Sequence, residues 1–127
     1  MTEVKLSGLI IAIYARYSSD RQRDASIEDQ IRACRILVER CGGTVCDELV
    51  FSDRAVSGAS LDRPGWRKLV RAIEARDIDV VVTEDMSRIS RQMADSATVL
   101  SEFRFKGIRL LTCGGLDTAD PNAKVMA

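Results

Sequence analysis

The stretch "YARYSSDRQ", Tyr14 to Gln22, sets two serines among arginines directly after the apolar run "GLIIAI". A serine that emerges from a buried strand is placed as a nucleophile would be, yet the chain contains no histidine to activate it. Arginine cannot act as the base, because its pKa lies above roughly 12. Several guanidinium groups can still depress the pKa of a nearby hydroxyl, hold a phosphodiester in line and stabilise a pentacoordinate transition state. Serine among arginines therefore points to attack on phosphorus rather than to a histidine triad. Taken singly, Ser18 and Ser19 read as turn or cap residues. Only their company gives them a chemical reading.

The surrounding elements must bring that company together. Leu9 to Tyr14 is a continuous apolar run, as in a strand covered on both faces. Ser26 reads as the N-cap of a helix with Glu28 and Asp29 in its first turn. Ile27, Ile31, Cys34, Val38 and Cys41 repeat at helical spacing until Gly42 and Gly43 stop it. Val45 to Phe51 reads as a second strand, and Pro64 opens a helix whose apolar face is Trp66, Leu69, Val70 and Ile73. Ile78 to Thr83 is a third strand, Met93 to Phe105 a further helix and Ile108 to Thr112 a fourth strand. This alternation predicts an α/β, three-layer domain: a mainly parallel sheet of four or five strands with helices on both faces.

Ligands of such sheets bind beyond the carboxyl ends of the strands. Those ends carry Arg16, Ser18 and Ser19, then Ser52, Asp53 and Arg54, then "EDMSRISR" from Glu84 to Arg91, then "CGGLD". Arg88 and Arg91, three apart, share one face if that segment is helical. Alone they would be solvated helix charges, Asp53 a turn residue and Trp66 core. "CGG" is too short for a phosphate loop.

Composition narrows the classes. The 127 residues suit one domain, 1–127, or part of a longer protein. A chain of this length buries about two-thirds of its unfolded surface and needs no disulfide or metal to fold. The formal net charge of zero argues against a non-specific polyanion binder. Of the 19 basic residues, 15 are arginine and 4 lysine, which favours planar, bidentate phosphate contacts. The four cysteines form no C-x-x-C pair and lack histidine partners for zinc, so buried thiols are expected. No apolar run spans a membrane and no signal peptide opens the chain, which predicts a soluble, cytoplasmic protein. The tail "DTADPNAKVMA" reads as a loop with a helix just beginning, as at the end of a fragment.

On these residues the chain resembles the serine site-specific recombinases, the resolvase and invertase family. Their nucleophile motif is tyrosine, any residue, arginine, a usually aliphatic residue, then serine, and "YARYSSDRQ" matches it. "SIEDQ", "FSDRAVSG", "SLDRPGW" and "SRISR" follow in the family's order and spacing. "SIEDQ" and "SLDRPG" look most like the large serine recombinase branch. The resemblance implies a resolvase-like catalytic domain with Ser18 as nucleophile and Arg16 beside the scissile phosphate. It also implies catalytic roles for Asp53, Arg63, Arg88 and Arg91, and supporting roles for Tyr14, Gln22 and Gln30. It implies DNA as partner, cleaved by transesterification through a 5′-phosphoserine bond, with no cofactor, metal, membrane or small-molecule substrate. Assembly into dimers and tetramers, and recognition of the recombination site, would fall to the full-length protein, whose DNA-binding region is not in this chain.

Two departures qualify the match. Ser87 stands where the family usually has aspartate, and Tyr17 replaces the aliphatic residue before the nucleophile. Asp85 would share a face with Ser87 if the third strand extended that far. A carboxylate of Asp85 or Asp53 is thus expected within salt-bridge reach of Arg16, Arg88 or Arg91. Two other readings compete. One is a Mg²⁺-dependent phosphoryl-transfer or receiver-type domain using Asp53, Asp85 and Asp117, although "RYSS" supplies no carboxylate after the first strand. The other is a catalytically silent relative, supported by Ser87 alone.

Overall fold

The structure, a computed structural model, describes residues 5–17, 24–54, 63–76, 78–90 and 93–119. Strands β1 (Ile11–Arg16), β2 (Val50–Asp53), β3 (Val80–Thr83) and β4 (Arg109–Thr112) form one sheet in the order β2-β1-β3-β4, all parallel. Helices α1 (Asp24–Arg40), α2 (Pro64–Arg76), α3 (Met86–Ile89) and α4 (Met93–Lys106) complete the described elements, with a single 3₁₀ turn at Asp47–Leu49.

Every residue of β1 is buried, and its alternation divides the core. Ile11 and Ile13 pack with Cys34 and Val38 of α1 on one face. Ala12 and Tyr14 pack with Trp66, Leu69 and Ile73 of α2 and with Val99, Leu100 and Phe103 of α4 on the other. Each such buried side chain contributes about 1.5–3 kcal/mol relative to exposure, so the two sheet faces hold the helices in place. The layers and parallel sheet match the expected architecture.

Several boundaries differ. β1 begins two residues later than its apolar run and extends to Arg16, because Leu9 and Ile10 are exposed while the Arg16 side chain is buried against carbonyls. α1 starts at Asp24, so Ser26 lies inside the helix, where its Oγ accepts from Gln30 Nε2 at 3.1 Å instead of capping. Val45 to Leu49 is not strand: Asp47–Leu49 coils as a 3₁₀ turn and pairing begins at Val50. The third strand ends at Thr83, so Asp85 and Ser87 lie beyond the sheet, in and around α3. Cys34 is buried with its Sγ 3.9 Å from that of Cys113, but Cys46 and Cys113 are exposed, contrary to four buried thiols.

Pro64 occupies the first turn of α2, and Gly65 lets that helix end press on β2. A Cβ there would lie 2.2 Å from the Ser52 carbonyl oxygen. Among the described residues no helix is long and apolar enough to cross a membrane.

After β4 the chain folds back along that strand. Asp117 bridges Leu111, and Thr118 exchanges hydrogen bonds with the Leu110 backbone. Arg109 clasps Asp117 with two N–H groups, at 2.8 and 2.6 Å, and holds its carboxyl below the usual carboxylate value. A depressed folded pKa means stability that is present above the unfolded value, about 3.9, and lost as pH falls through the folded one. Asp117→Asn is expected to cost about 1 kcal/mol at neutral pH. In urea unfolding the gap from wild type should close with acidification; a gap independent of pH would contradict the pairing.

Candidate active site

In this strand order the chain leaves β1 toward β2 on one side and returns to β3 on the other. The switch point therefore lies between the carboxyl ends of β1 and β3, where open α/β sheets bind ligands. β3 ends opposite Tyr14, which leaves the Arg16 peptide groups without a strand partner on that side. Gln30 of α1 takes the strand's place. Its Oε1 accepts from Arg16 N at 3.1 Å and its Nε2 donates to Arg16 O at 3.0 Å. Tyr17 N donates to Asp53 O at 3.3 Å on the other side. The chain is thus gripped from both flanks just before Ser18.

The arginines at this rim are not surface charges. Arg16 is 1% exposed and donates from Nε to Arg88 O at 2.8 Å and from NH2 to Ser87 O at 2.5 Å. Arg63 is 0% exposed; its NH1 donates to Tyr14 OH at 2.9 Å and Arg88 O at 3.1 Å, and its NH2 donates to Ile89 O. Its guanidinium carbon lies 5.6 Å from the Tyr14 ring centroid and 5.7 Å from that of Trp66, within cation–π range. Its buried Nε has no hydrogen-bond partner among the described residues. Together these two arginines satisfy three successive carbonyls at the end of α3, a turn too short to satisfy them itself.

Asp53 is buried at the end of β2 and caps α2 from outside that helix. Its carboxylate accepts from Gly65 N at 2.8 Å, Trp66 N at 2.9 Å and Tyr14 OH at 2.7 Å. Burial, reinforced by the bond to Asp53, pushes the Tyr14 phenol far above its ordinary value, so it stays a neutral donor. Asp53 is therefore tied to Arg63 only through the Tyr14 hydroxyl.

Asp85 is the N-cap of α3. Its Oδ1 accepts from Ser87 N at 2.8 Å and from Ser87 Oγ, and its Oδ2 lies 4.0 Å from Arg88 Nε. The expected carboxylate–arginine approach is present there, at its outer limit. A shorter one comes from Glu84, whose Oε1 accepts from Arg88 NH2 at 2.7 Å and Nε at 3.1 Å. The sequence reading assigned Glu84 no role, although its four-residue spacing from Arg88 was the available signal. Arg88 NH1 also donates to Arg16 O at 3.2 Å, which sets its guanidinium against the last peptide of β1.

Tyr14, Arg16, Gln30, Asp53, Arg63, Asp85, Ser87 and Arg88 thus gather at or beneath one rim. Ser18, Ser19, Gln22 and Arg91 lie outside the described residues. The carboxylates needed for a Mg²⁺ site do not converge, since Asp53 caps α2, Asp85 caps α3 and Asp117 binds Arg109. Among the described residues no group of three histidine, cysteine or acidic side chains could hold a metal.

Fold and rim define a class: an α/β domain whose switch point is built from arginines. Comparison with known proteins makes it specific. Residues 11–127 match the family model described as resolvase, N-terminal domain. The transposon Tn3 resolvase of Escherichia coli is 33% identical over 95 residues, covering 75% of this chain and 45% of the resolvase. The DNA-invertase of Escherichia phage P1 is 36% identical over 76 residues, covering 58% of this chain and 39% of the invertase. The chain spans less than half the length of these relatives. Among solved structures, the N-terminal catalytic domain of TP901-1 integrase superposes with a TM-score of 0.77 at 27% identity, over 87% of this chain and 82% of that one. This chain belongs to the resolvase N-terminal domain family, the catalytic-domain family of the serine site-specific recombinases. That membership sets the receiver-type reading aside.

Proposed function

We propose that this domain, within a longer protein, cleaves and rejoins DNA at specific sites with Ser18 as the nucleophile. The Ser18 oxygen bonds to phosphorus as the bond from phosphorus to the 3′ oxygen breaks. The serine is left joined to the 5′ phosphate, the serine proton is released, and the departing 3′ oxygen becomes a hydroxyl. Attack of a 3′ hydroxyl on the phosphoserine reverses the step and regenerates the serine, so no external energy source enters. Arg88 and Arg91 would hold the phosphate, and Arg16 and Arg63 would fix the rim that presents them. DNA is the partner; site recognition and pairing of subunits into dimers and tetramers would rest on segments beyond this domain, in the cytoplasm.

The observation that carries this reading is the Arg88 guanidinium seated on Arg16 O, two residues before Ser18, while Gln30 pins the same peptide. The test uses full-length protein and DNA spanning the flanks of its own coding region, with a chelator present. A protein–DNA adduct at 5′ ends that survives denaturant is expected. Cleavage that requires metal and leaves no adduct would overturn the reading.

A further inference from the structure

Three guanidinium groups crowd one turn. Arg16 Nε and Arg63 NH1 both donate to Arg88 O, while the Arg88 guanidinium lies on Arg16 O. Cations packed so closely repel unless a carboxylate sits among them. Ser87 cannot provide one, and its hydroxyl donates to Asp85. Asp53 is taken by Tyr14 and two α2 amides. Asp85 is committed to the α3 cap, with one oxygen 4.0 Å from Arg88, and its side chain is 48% exposed. Glu84 remains, and it receives two N–H groups of Arg88 while that side chain is only 14% exposed.

We infer that Glu84 is a positioning residue for the cleavage reaction: it holds and aims Arg88, and it supplies from the end of β3 the negative charge that Ser87 lacks. The inference rests on the cleavage reading above and names which side chain prepares its arginine. Nε and NH2 of Arg88 are held by Glu84 and NH1 by Arg16 O, so the plane of the guanidinium is fixed before DNA arrives. Pre-set orientation of this kind is what a misplaced phosphate contact forfeits, at a cost of about 10- to 100-fold in rate.

The experiment follows the rate of covalent adduct formation by full-length protein, alongside DNA binding and thermal unfolding. Glu84→Gln keeps the shape and removes the charge. It should form adduct about 10- to 100-fold more slowly, with DNA affinity and melting temperature near wild type. Adding Ser87→Asp to Glu84→Gln should recover most of the rate, because it returns a carboxylate to the same turn. In an Arg88→Lys background, Glu84→Gln should add little further loss, since the two act as one unit. A wild-type rate in Glu84→Gln would overturn the inference. So would a loss that Ser87→Asp does not recover and that adds in full to Arg88→Lys, which would make Glu84 a merely structural residue. Absence of adduct from the wild-type protein would instead sink the cleavage reading itself.

Discussion

Full-length protein carrying Ser18→Ala should form no covalent adduct with DNA, whereas Ser19→Ala should still cleave. The expectation follows from where the chain is held. Arg16 is the last residue of β1, its peptide groups are clamped by Gln30, and Tyr17 is paired to Asp53. Ser18 is therefore the first residue after a fixed point, two positions past the carbonyl on which Arg88 rests. Loss of a covalent nucleophile removes the intermediate itself, so the drop should reach the detection limit rather than a fraction of wild type. Binding to DNA should persist in Ser18→Ala, because the substitution removes a neutral hydroxyl and none of the positive charge that phosphate binding draws on. An adduct persisting in Ser18→Ala, or vanishing only in Ser19→Ala, would move the nucleophile by one residue.

Arg63→Ala should unfold the domain more readily than any surface change. The side chain is fully buried and supplies hydrogen bonds to Tyr14 OH, Arg88 O and Ile89 O while lying over two aromatic rings. Truncation takes from Ile89 O its Arg63 donor and from Arg88 O one of its two, and it uncovers the Tyr14 and Trp66 rings that Arg63 lies over. Leaving a buried acceptor unsatisfied typically costs about 1–3 kcal/mol, and the lost packing over two rings adds to it. Arg63→Lys should recover less than half of that, since an ammonium cannot reproduce a planar fork shared among three acceptors. Urea unfolding of both variants reads the effect. Stability within about 1 kcal/mol of wild type in Arg63→Ala would mean that the carbonyls find other donors.

Much of this arrangement could be read from residue pattern. The buried run of β1, the apolar face of α2 behind Pro64 and the paired apolar strands at β3 and β4 carry their periodicity openly, and the rim follows from their alternation. What was hidden depends on contacts between distant residues. Val45 looks like strand, but Asp47–Leu49 coils as a 3₁₀ turn and pairing with β1 starts only at Val50. Asp53 looks like a turn aspartate because nothing local reveals that it caps a helix starting eleven residues later. The burial of Arg16 and Arg63 runs against the ordinary preference of arginine for water; the carbonyls of α3 and, for Arg63, the Tyr14 hydroxyl and two aromatic rings make it favourable. Glu84 was legible in principle, by its spacing from Arg88, but a glutamate at a strand end has many solvated uses.

The turn after β3 is not portable. Its carbonyls at Ser87, Arg88 and Ile89 are answered by side chains rooted in β1 and at the entrance to α2, 71, 72 and 26 positions away for the contacts that reach them. A segment exchange that carried Glu84 to Ser90 into another scaffold would arrive with these acceptors bare, unless that scaffold holds guanidiniums where Arg16 and Arg63 stand. Chimeras joined between β3 and α4 should therefore fail with a parent that lacks either arginine or seats it differently, where chimeras that keep β1, the start of α2 and α3 from one parent succeed. Recombining this domain with others is governed less by where its strands end than by which parent supplies the two buried guanidiniums.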